Sequence, residues 1–303
     1  MKIIHIKDQE HELILEPICA AIGNFDGLHL GHQKLIAECK RHGYKSAVLT
    51  FYPHPSVFLK KIPDYKLITP MEHKADLLTQ MGIDYLIIVE FNEEVAKISK
   101  ESFIRFMKHL NIRACVCGYD FTFGRMAAGT IFDLMKEFEF YEVKKYIYED
   151  VRVSSTFIRE LLSLGNIQRV NRLLGRTYSI RGKINYGTQH GRLIGFPTAN
   201  IDYTNYYLPA GGVYFVTVRI HHNLYFGMCN IGNNPTFNYS ENLKVEVNIF
   251  NLNEDLYGQE LEVFFHERIR GEQAFSSVDA LVKQLREDKV QCYQLSKDFN
   301  FTK

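Results

Sequence analysis

The sequence predicts an α/β domain built on a parallel sheet, followed by a smaller all-β domain that ends in a helix. Three observations carry this. Up to about residue 174, short and nearly all-apolar runs alternate with helix-patterned segments, as in a parallel sheet covered on both faces. After about residue 178 the pattern changes to period-two alternation broken by Gly, Asn and Pro turns. The 303 residues, 46% hydrophobic and 23% charged, are enough for two cores at roughly 150 residues per domain.

The elements follow in order. Ile18–Ile22 is a wholly apolar strand candidate. A helix from about Gly31 to His42 is expected next, closed by Gly43 as its C-terminal glycine. Ser46–Phe51 reads as a strand, Met71–Met81 as a helix and Asp84–Val89 as a strand. Ser99 caps a helix through Leu110, with Phe103, Phe106, Met107 and Leu110 at helical spacing. Ala114–Cys117 is a further strand and Thr130–Phe138 a further helix. Two short helices, about Ser155–Leu164 and Ile167–Leu174, form a structured joint. In the second half, Val213–Ile220, Leu224–Ile231, Lys244–Phe250 and Leu261–His266 read as strands of a small antiparallel barrel or sandwich. Ser277 to about Leu295 is the closing helix.

Composition excludes several classes. Lys and Arg number 36 against 35 Asp and Glu, a net charge of +1. That balance gives no broad electrostatic reason to expect nucleic acid or an anionic membrane as partner. The first residues, MKIIHIKDQEHELI, carry charges on both sides of any apolar run and do not read as a signal peptide. Tyr85–Val89, the strongest apolar stretch, is too short to span a bilayer. The six cysteines show no CxxC spacing and read as reduced thiols filling the core of a cytoplasmic protein.

Two constellations carry chemistry. The first is Gly23-Asn-Phe-Asp-Gly-Leu-His-Leu-Gly-His32, which leaves a strand and enters a helix. Its glycines permit tight turns and close approach of a ligand to the backbone. His29 and His32, three apart, share one face at the helix start. Free N–H groups and the positive dipole end there suit phosphate, and imidazoles can donate to a phosphoryl group as charge builds. The plainer reading is a Gly-rich turn with two surface histidines; a zinc site lacks a third ligand at matching spacing. A second phosphate clamp is suggested by Ser154-Ser-Thr-Phe-Ile-Arg159, with hydroxyls and N–H groups at a helix start and a guanidinium one turn on.

This first string resembles the HxGH signature of nucleotidyltransferases in the form found in prokaryotic FAD synthetases. Thr50-Phe-Tyr-Pro-His-Pro55, Gly118-Tyr-Asp-Phe-Thr-Phe-Gly124 and Ser154–Arg159 fit the same family. The resemblance implies a Rossmann-like domain in which Gly23, Phe25, Asp26 and Gly31 surround ATP. His29 and His32 would hold its phosphates and stabilise the transition state at the α-phosphorus. Ser155, Thr156 and Arg159 would grip the β- and γ-phosphates, and Phe51, Pro53, His54 and Asp120 would lie towards FMN. Arg125–Gly129 departs from the pattern by carrying a single basic residue.

The second constellation joins a turn to an acidic strand. Gly191–Asn200 ends in Pro197-Thr-Ala-Asn200, where a hydroxyl and an amide oxygen can complete a Mg²⁺ shell beside phosphates; such strings are also ordinary loop sequence. In Lys244–Phe250 the alternation sets Val245, Val247 and Ile249 on one face and Glu246 and Asn248 on the other. Glu246 is then either a solvent-facing glutamate or a general base for a hydroxyl.

With Gly182-Lys183, Pro209–Tyr214, Asn230–Phe237, Asp255–Gly258 and Arg268–Phe275, these segments resemble the riboflavin kinase module, a small β-barrel with a terminal helix. The resemblance implies Mg²⁺ and ATP phosphate at Thr198 and Asn200, an ATP-phosphate loop at Gly182 and Lys183, and Glu246 as base for the 5′-hydroxyl of riboflavin. Arg270 and Phe275 would belong to a flap on the flavin side. Asn248 stands where relatives usually carry His. The division implied is 1–174 for FMN adenylyltransfer and 175–303 for riboflavin phosphorylation, with ATP and Mg²⁺ serving both. The partners would be riboflavin, FMN, FAD and ATP, without nucleic acid or membrane. Two rivals are a nucleotidyltransferase for another phosphate acceptor and a non-catalytic flavin or RNA sensor. The kinase-like half argues against the first, and the joint retention of His29, His32, Arg159, Thr198, Asn200 and Glu246 against the second.

Overall fold

A computed structural model describes residues 1–7, 14, 16–186, 190–232, 243–252, 254, 256–297 and 299. The chain divides into two compact units, Met1–Ser155 and Thr156–Lys303.

The first unit is a six-stranded parallel sheet. Its strands are β1 (Lys2–Ile6), β2 (Ile18–Ile22), β3 (Lys45–Tyr52), β4 (Tyr85–Glu90), β5 (Ile112–Gly118) and β6 (Glu139–Val143), in the order β1-β4-β3-β2-β5-β6. Helices α1 (Leu30–Cys39), α2 (Met71–Gln80), α3 (Lys100–His109) and α4 (Ile131–Met135) lie between them. Both faces of the sheet are buried, which is why β2 is apolar at every position and β3, β4 and β5 are apolar over most of their length. Ile18, Ala20 and Ile22 pack with Phe103, Met107 and Leu110 of the α3 region. Cys19 and Ala21 pack with Ile36 of α1 and Leu78 of α2. The order runs outward from β2 through β3 and β4, then returns to β2's other side with β5. This topological switch places a crevice outside the carboxyl ends of β2 and β5, where open α/β sheets bind ligands.

Several boundaries differ from expectation. Helix α1 stops at Cys39, and Gly43, at φ +72°, turns the chain into β3 rather than capping the helix. The expected helix over 130–138 is helical only for Ile131–Met135. The next segment becomes edge strand β6, whose glutamates 139 and 142 are exposed. Edge strand β1 carries exposed polar Lys2 and His5 and likewise lacks an all-apolar signature.

The second unit begins within α5 (Ser155–Ser163), from Thr156 on, and α6 (Ile167–Leu174) follows. It continues as β7 (Tyr178–Asn185), β8 (Ala199–Tyr203), β9 (Gly212–Ile220), β10 (Asn223–Gly232), β11 (Lys244–Ile249) and β12 (Glu260–Arg270), and ends with α7 (Val278–Ser296). The strands close into a barrel in the order β7-β8-β11-β10-β9-β12, which decides between barrel and sandwich. Two of the six, β7 and β8, were not expected. A Cβ on Gly182 of β7 would stand 2.3 Å from the Asp202 carbonyl oxygen of β8. The side-chain-free residue is what lets these two strands meet.

Candidate active sites

The switch-point loop, Gly23 to His29, is held in an unusual conformation. Phe25, Gly27 and Leu28 have φ of 50°, 86° and 43°. For the two non-glycine residues this costs about 1–3 kcal/mol each, so neighbours must hold them. The Asn24 carbonyl accepts hydrogen bonds from Thr50 Oγ1 at 3.1 Å and Lys74 Nζ at 2.8 Å. Asp26 Oδ1 accepts from the N–H groups of Ile68 and Thr69 at 2.9 and 3.2 Å. Ser155 Oγ donates to the Asp26 carbonyl at 2.8 Å. Asp26 and Lys74 are each 2% exposed. Burial pulls the Lys74 pKa down to about 8, with the Asp26 carboxylate opposing. The Asp26 carboxylate thus faces the protein interior, and what it does visibly is fix the loop.

The loop ends in the histidine pair. His29 is the N-cap of α1, and its Nδ1 accepts from the His32 N–H at 3.3 Å. The two imidazoles stack at 3.6 Å, and the buried Phe25 ring meets His32 edge-on at 5.2 Å. A Cβ on Gly31 would stand 3.2 Å from the His29 ring, which explains the glycine between the two histidines. Gly23 leads out of β2, its N–H bonded to the Leu49 carbonyl at 3.1 Å. Two imidazoles and the open amide end of a helix are therefore gathered at the crevice, an arrangement suited to a chain of phosphates.

The residues expected on β3 and β5 flank the loop from both sides, because these strands are the neighbours of β2. At the carboxyl end of β3, Phe51 meets Phe91 edge-on at 5.8 Å. Beyond Pro53, His54 stacks on Tyr65 at 4.3 Å while its Nδ1 accepts from the Ser56 N–H at 3.2 Å. After β5, Asp120 pairs with Arg152 at 2.5 Å, and that guanidinium lies 5.3 Å from the Tyr119 ring centre. Within the second unit, Thr156 lies in the first turn of α5, and the Arg159 guanidinium lies 4.7 Å from the centre of the Tyr207 ring. Met126 and Ala127, in the departing segment 125–129, both have positive φ, and Met126 is 90% exposed.

In the barrel, Glu246 is directly opposite Asn200 on one neighbouring strand and Asn230 on the other. Residues facing each other across antiparallel strands project to the same side, with Cβ atoms about 5 Å apart. The register therefore makes a row, Asn200–Glu246–Asn230, of which sequence reasoning assigned no role to Asn230. Val245 and Val247, on the opposite face, are buried. Beneath this row, burial pushes the Cys229 thiol pKa up, with the Glu246 charge adding to the effect. Thr198 lines a cavity of about 90 Å³ with Ile184, Arg192, Val247, Leu256 and Tyr257. The Asn248 side chain, 4% exposed, donates to the Pro197 carbonyl at 2.6 Å, so it ties the acidic strand to the Pro-Thr turn. Lys183 is exposed beside Gly182, opposite Asp202 and Glu260.

Arg270 and Phe275 are brought together, the guanidinium 5.6 Å from the ring centre. Arg270 Nε also donates to both carboxylate oxygens of Asp288 at 3.1 and 3.0 Å. Asp288 is 2% exposed and lies on α7, a partner sequence reasoning missed. Its signal was a carboxylate on the apolar stripe Leu281, Leu285, Cys292 and Leu295. Lys74 has the same signature between Met71 and Leu78. Residues 233–237 of the Asn230–Phe237 segment, and Asp255, lie outside the described residues. All six cysteines are free and buried.

The first unit gathers two imidazoles and a helix N-terminus at a sheet switch point; the second sets a carboxylate between two asparagines on a closed barrel. Together they define a two-module enzyme of phosphate-group transfer. Residues 11–157 match the FAD synthetase family and residues 174–296 the riboflavin kinase family. The chain is 38% identical to the bifunctional riboflavin kinase/FMN adenylyltransferase of Bacillus subtilis, over 95% of its length and 96% of the relative's. It is 32% identical to the protein of the same description from Escherichia coli, over 89% and 90%. A crystal structure described as a macrolide-efflux protein from Streptococcus pneumoniae is 33% identical, with a TM-score of 0.89 over 98% of this chain and 99% of that one. The chain belongs to the bifunctional riboflavin kinase/FMN adenylyltransferase family. No helix among the described residues is long and apolar enough to cross a membrane.

Proposed function

We propose a residue-level reading of the two activities that family membership gives the chain: phosphorylation of riboflavin by ATP to FMN, and adenylylation of FMN by ATP to FAD with release of pyrophosphate. The observation that carries it is the pairing of two built sites in one chain, the stacked His29–His32 pair at a helix N-terminus and the Asn200–Glu246–Asn230 row.

For adenylyl transfer, a phosphate oxygen of FMN attacks the α-phosphorus of ATP, and the bond to the β-phosphate bridge breaks. No protein nucleophile is needed. His29 and His32 donate to the phosphates as charge shifts to the leaving pyrophosphate. Gly23, Phe25, Asp26 and Gly31 shape the loop that presents them. Ser155, Thr156 and Arg159 are assigned the β- and γ-phosphates, and Phe51, Pro53, His54 and Asp120 the FMN side. The assigned boundary, 1–174 against 175–303, concerns which chemistry the side chains of α5 and α6 serve. By packing these helices belong mainly to the barrel unit.

For the kinase step, Glu246 takes the proton of the 5′-hydroxyl as its oxygen attacks the γ-phosphorus and ADP leaves. Thr198 and Asn200 offer a hydroxyl and an amide oxygen, neutral hard donors that fit Mg²⁺ beside ATP phosphates. Bound there with ATP, the ion would offset the repulsion between phosphates. Gly182 and Lys183 are assigned to the ATP-phosphate side, Arg270 and Phe275 to the flavin side. Free, buried thiols and the absence of a spanning helix among the described residues support a cytoplasmic enzyme. The near-zero charge supports one without nucleic-acid partners. The test is an assay of the purified chain with riboflavin, ATP and Mg²⁺, the flavins being resolved by chromatography. FMN and then FAD are expected, both lost on chelation and restored by Mg²⁺; formation of neither in the presence of Mg²⁺ contradicts the reading.

A further inference from the structure

The loop that carries the histidine pair is braced from behind by one buried cation. Lys74 comes from the α2 stripe that faces the sheet. Its ammonium is 2.8 Å from the Asn24 carbonyl oxygen, and the residue is 2% exposed. An ammonium is costly to remove from water, and Thr50 already donates to the same oxygen. The charge is therefore more than the carbonyl needs to be satisfied.

The peptide plane shows what it does. In a trans peptide the C=O and the following N–H point in opposite directions. Drawing the Asn24 carbonyl inward to Lys74 turns the Phe25 N–H the other way, and it fixes the peptide that enters Phe25 at φ 50°. The Phe25 ring, 1% exposed, then packs edge-on against His32. The chain of contacts runs from Lys74 through the Asn24–Phe25 peptide and the Phe25 ring to the imidazole of His32. The ammonium also adds fixed positive charge beneath a loop beside which phosphate charge accumulates. The Asp26 carboxylate opposes the effect of burial on Lys74, while its Oδ1 accepts from the Ile68 and Thr69 amides.

We infer that Lys74 is a positioning residue for adenylyl transfer, acting through the Asn24–Phe25 peptide and the Phe25 ring on His32. The inference rests on the reading of the His29–His32 site given above.

The test compares Lys74→Met, Lys74→Arg and His32→Ala in the full chain, assayed for FAD formation from FMN and for FMN formation from riboflavin. Methionine keeps the length and removes the charge, and because the buried Asp26 carboxylate loses a nearby cation some stability is lost with it. Expected for Lys74→Met is a folded protein with a lowered Tm, a kcat for FAD formation lower by about 10–100-fold, little change in KM for FMN, and kinase turnover unchanged. Lys74→Arg should recover part of the lost kcat. A methionine variant within twofold of the parent overturns the proposal. So does one that fails to fold, because the lysine would then be a structural element. If His32→Ala leaves FAD formation intact, the site reading itself fails. If His32→Ala stops FAD formation and Lys74→Met does not reduce it, only the role of Lys74 fails.

Discussion

Single side chains in this protein divide by where their polar atoms are aimed. Asp26 belongs to those turned inward: its carboxylate caps two amides more than forty residues away in sequence, at Ile68 and Thr69. Asp26→Ala would strand both buried N–H groups. We expect a loss of about 1–3 kcal/mol in unfolding free energy by denaturant titration, together with reduced FAD formation, because the strained loop loses an anchor. Unchanged stability would show that the amides find other partners. The spacing of His29 and His32, the glycine between them, and Glu246 on an alternating strand were legible in the sequence, since each depends only on local periodicity. The inward aim of Asp26 and the buried ammonium of Lys74 were not, because each is set by partners that only the tertiary fold supplies. Asn230 fell between the two: its segment was visible, but its place opposite Glu246 required the strand register.

At the scale of elements, the closing helix is tied to the barrel by one buried ion pair. Asp288 of α7 accepts from Arg270 at the end of β12 and also from Gln284 at 3.0 Å. Removing one partner of such a pair leaves an uncompensated buried charge. Asp288→Ala should cost about 3–5 kcal/mol, read as a lowered midpoint of denaturant unfolding. A loss below about 1 kcal/mol would mean that Arg270 finds solvent easily. A second handle is His266 on β12, whose Nε2 lies 2.9 Å from Thr217 Oγ1. Burial lowers its pKa from 6.5 to about 4. The unfolded chain therefore takes up this proton as pH falls through 6.5, whereas the folded chain does so only near 4. Stability is fully present above 6.5 and declines between 6.5 and 4, by about 3 kcal/mol at 1.36 per pKa unit. His266→Gln should flatten that part of the Tm-against-pH curve; an unchanged slope would remove His266 as its source. Central strands and long helices were legible because burial on both faces or one stripe writes a strong pattern. Edge strands β1 and β6 mix exposed polar residues with apolar ones, and β8 is a short strand opening behind Pro197, so their patterns are weak.

For the molecule as a whole, a net charge of +1 gives no hint of the two phosphate sites proposed above. Each is proposed from local devices: a helix N-terminus with stacked imidazoles in one unit, and the Asn200–Glu246–Asn230 row in the other. Because the devices are local, the two chemistries should separate cleanly by mutation. The two-domain division itself was legible from the change in periodicity, while the closed barrel required the pairing of β7 with both β8 and β12. The most direct test supplies riboflavin or FMN with ATP and Mg²⁺ to Glu246→Gln and His32→Ala, and resolves FMN and FAD by chromatography. Glu246→Gln should lose FMN formation by about 10²–10⁴-fold yet still convert supplied FMN to FAD, and His32→Ala should accumulate FMN without FAD. A folded variant in which either single substitution stops both steps would contradict the assignment of the two reactions to two separate sites.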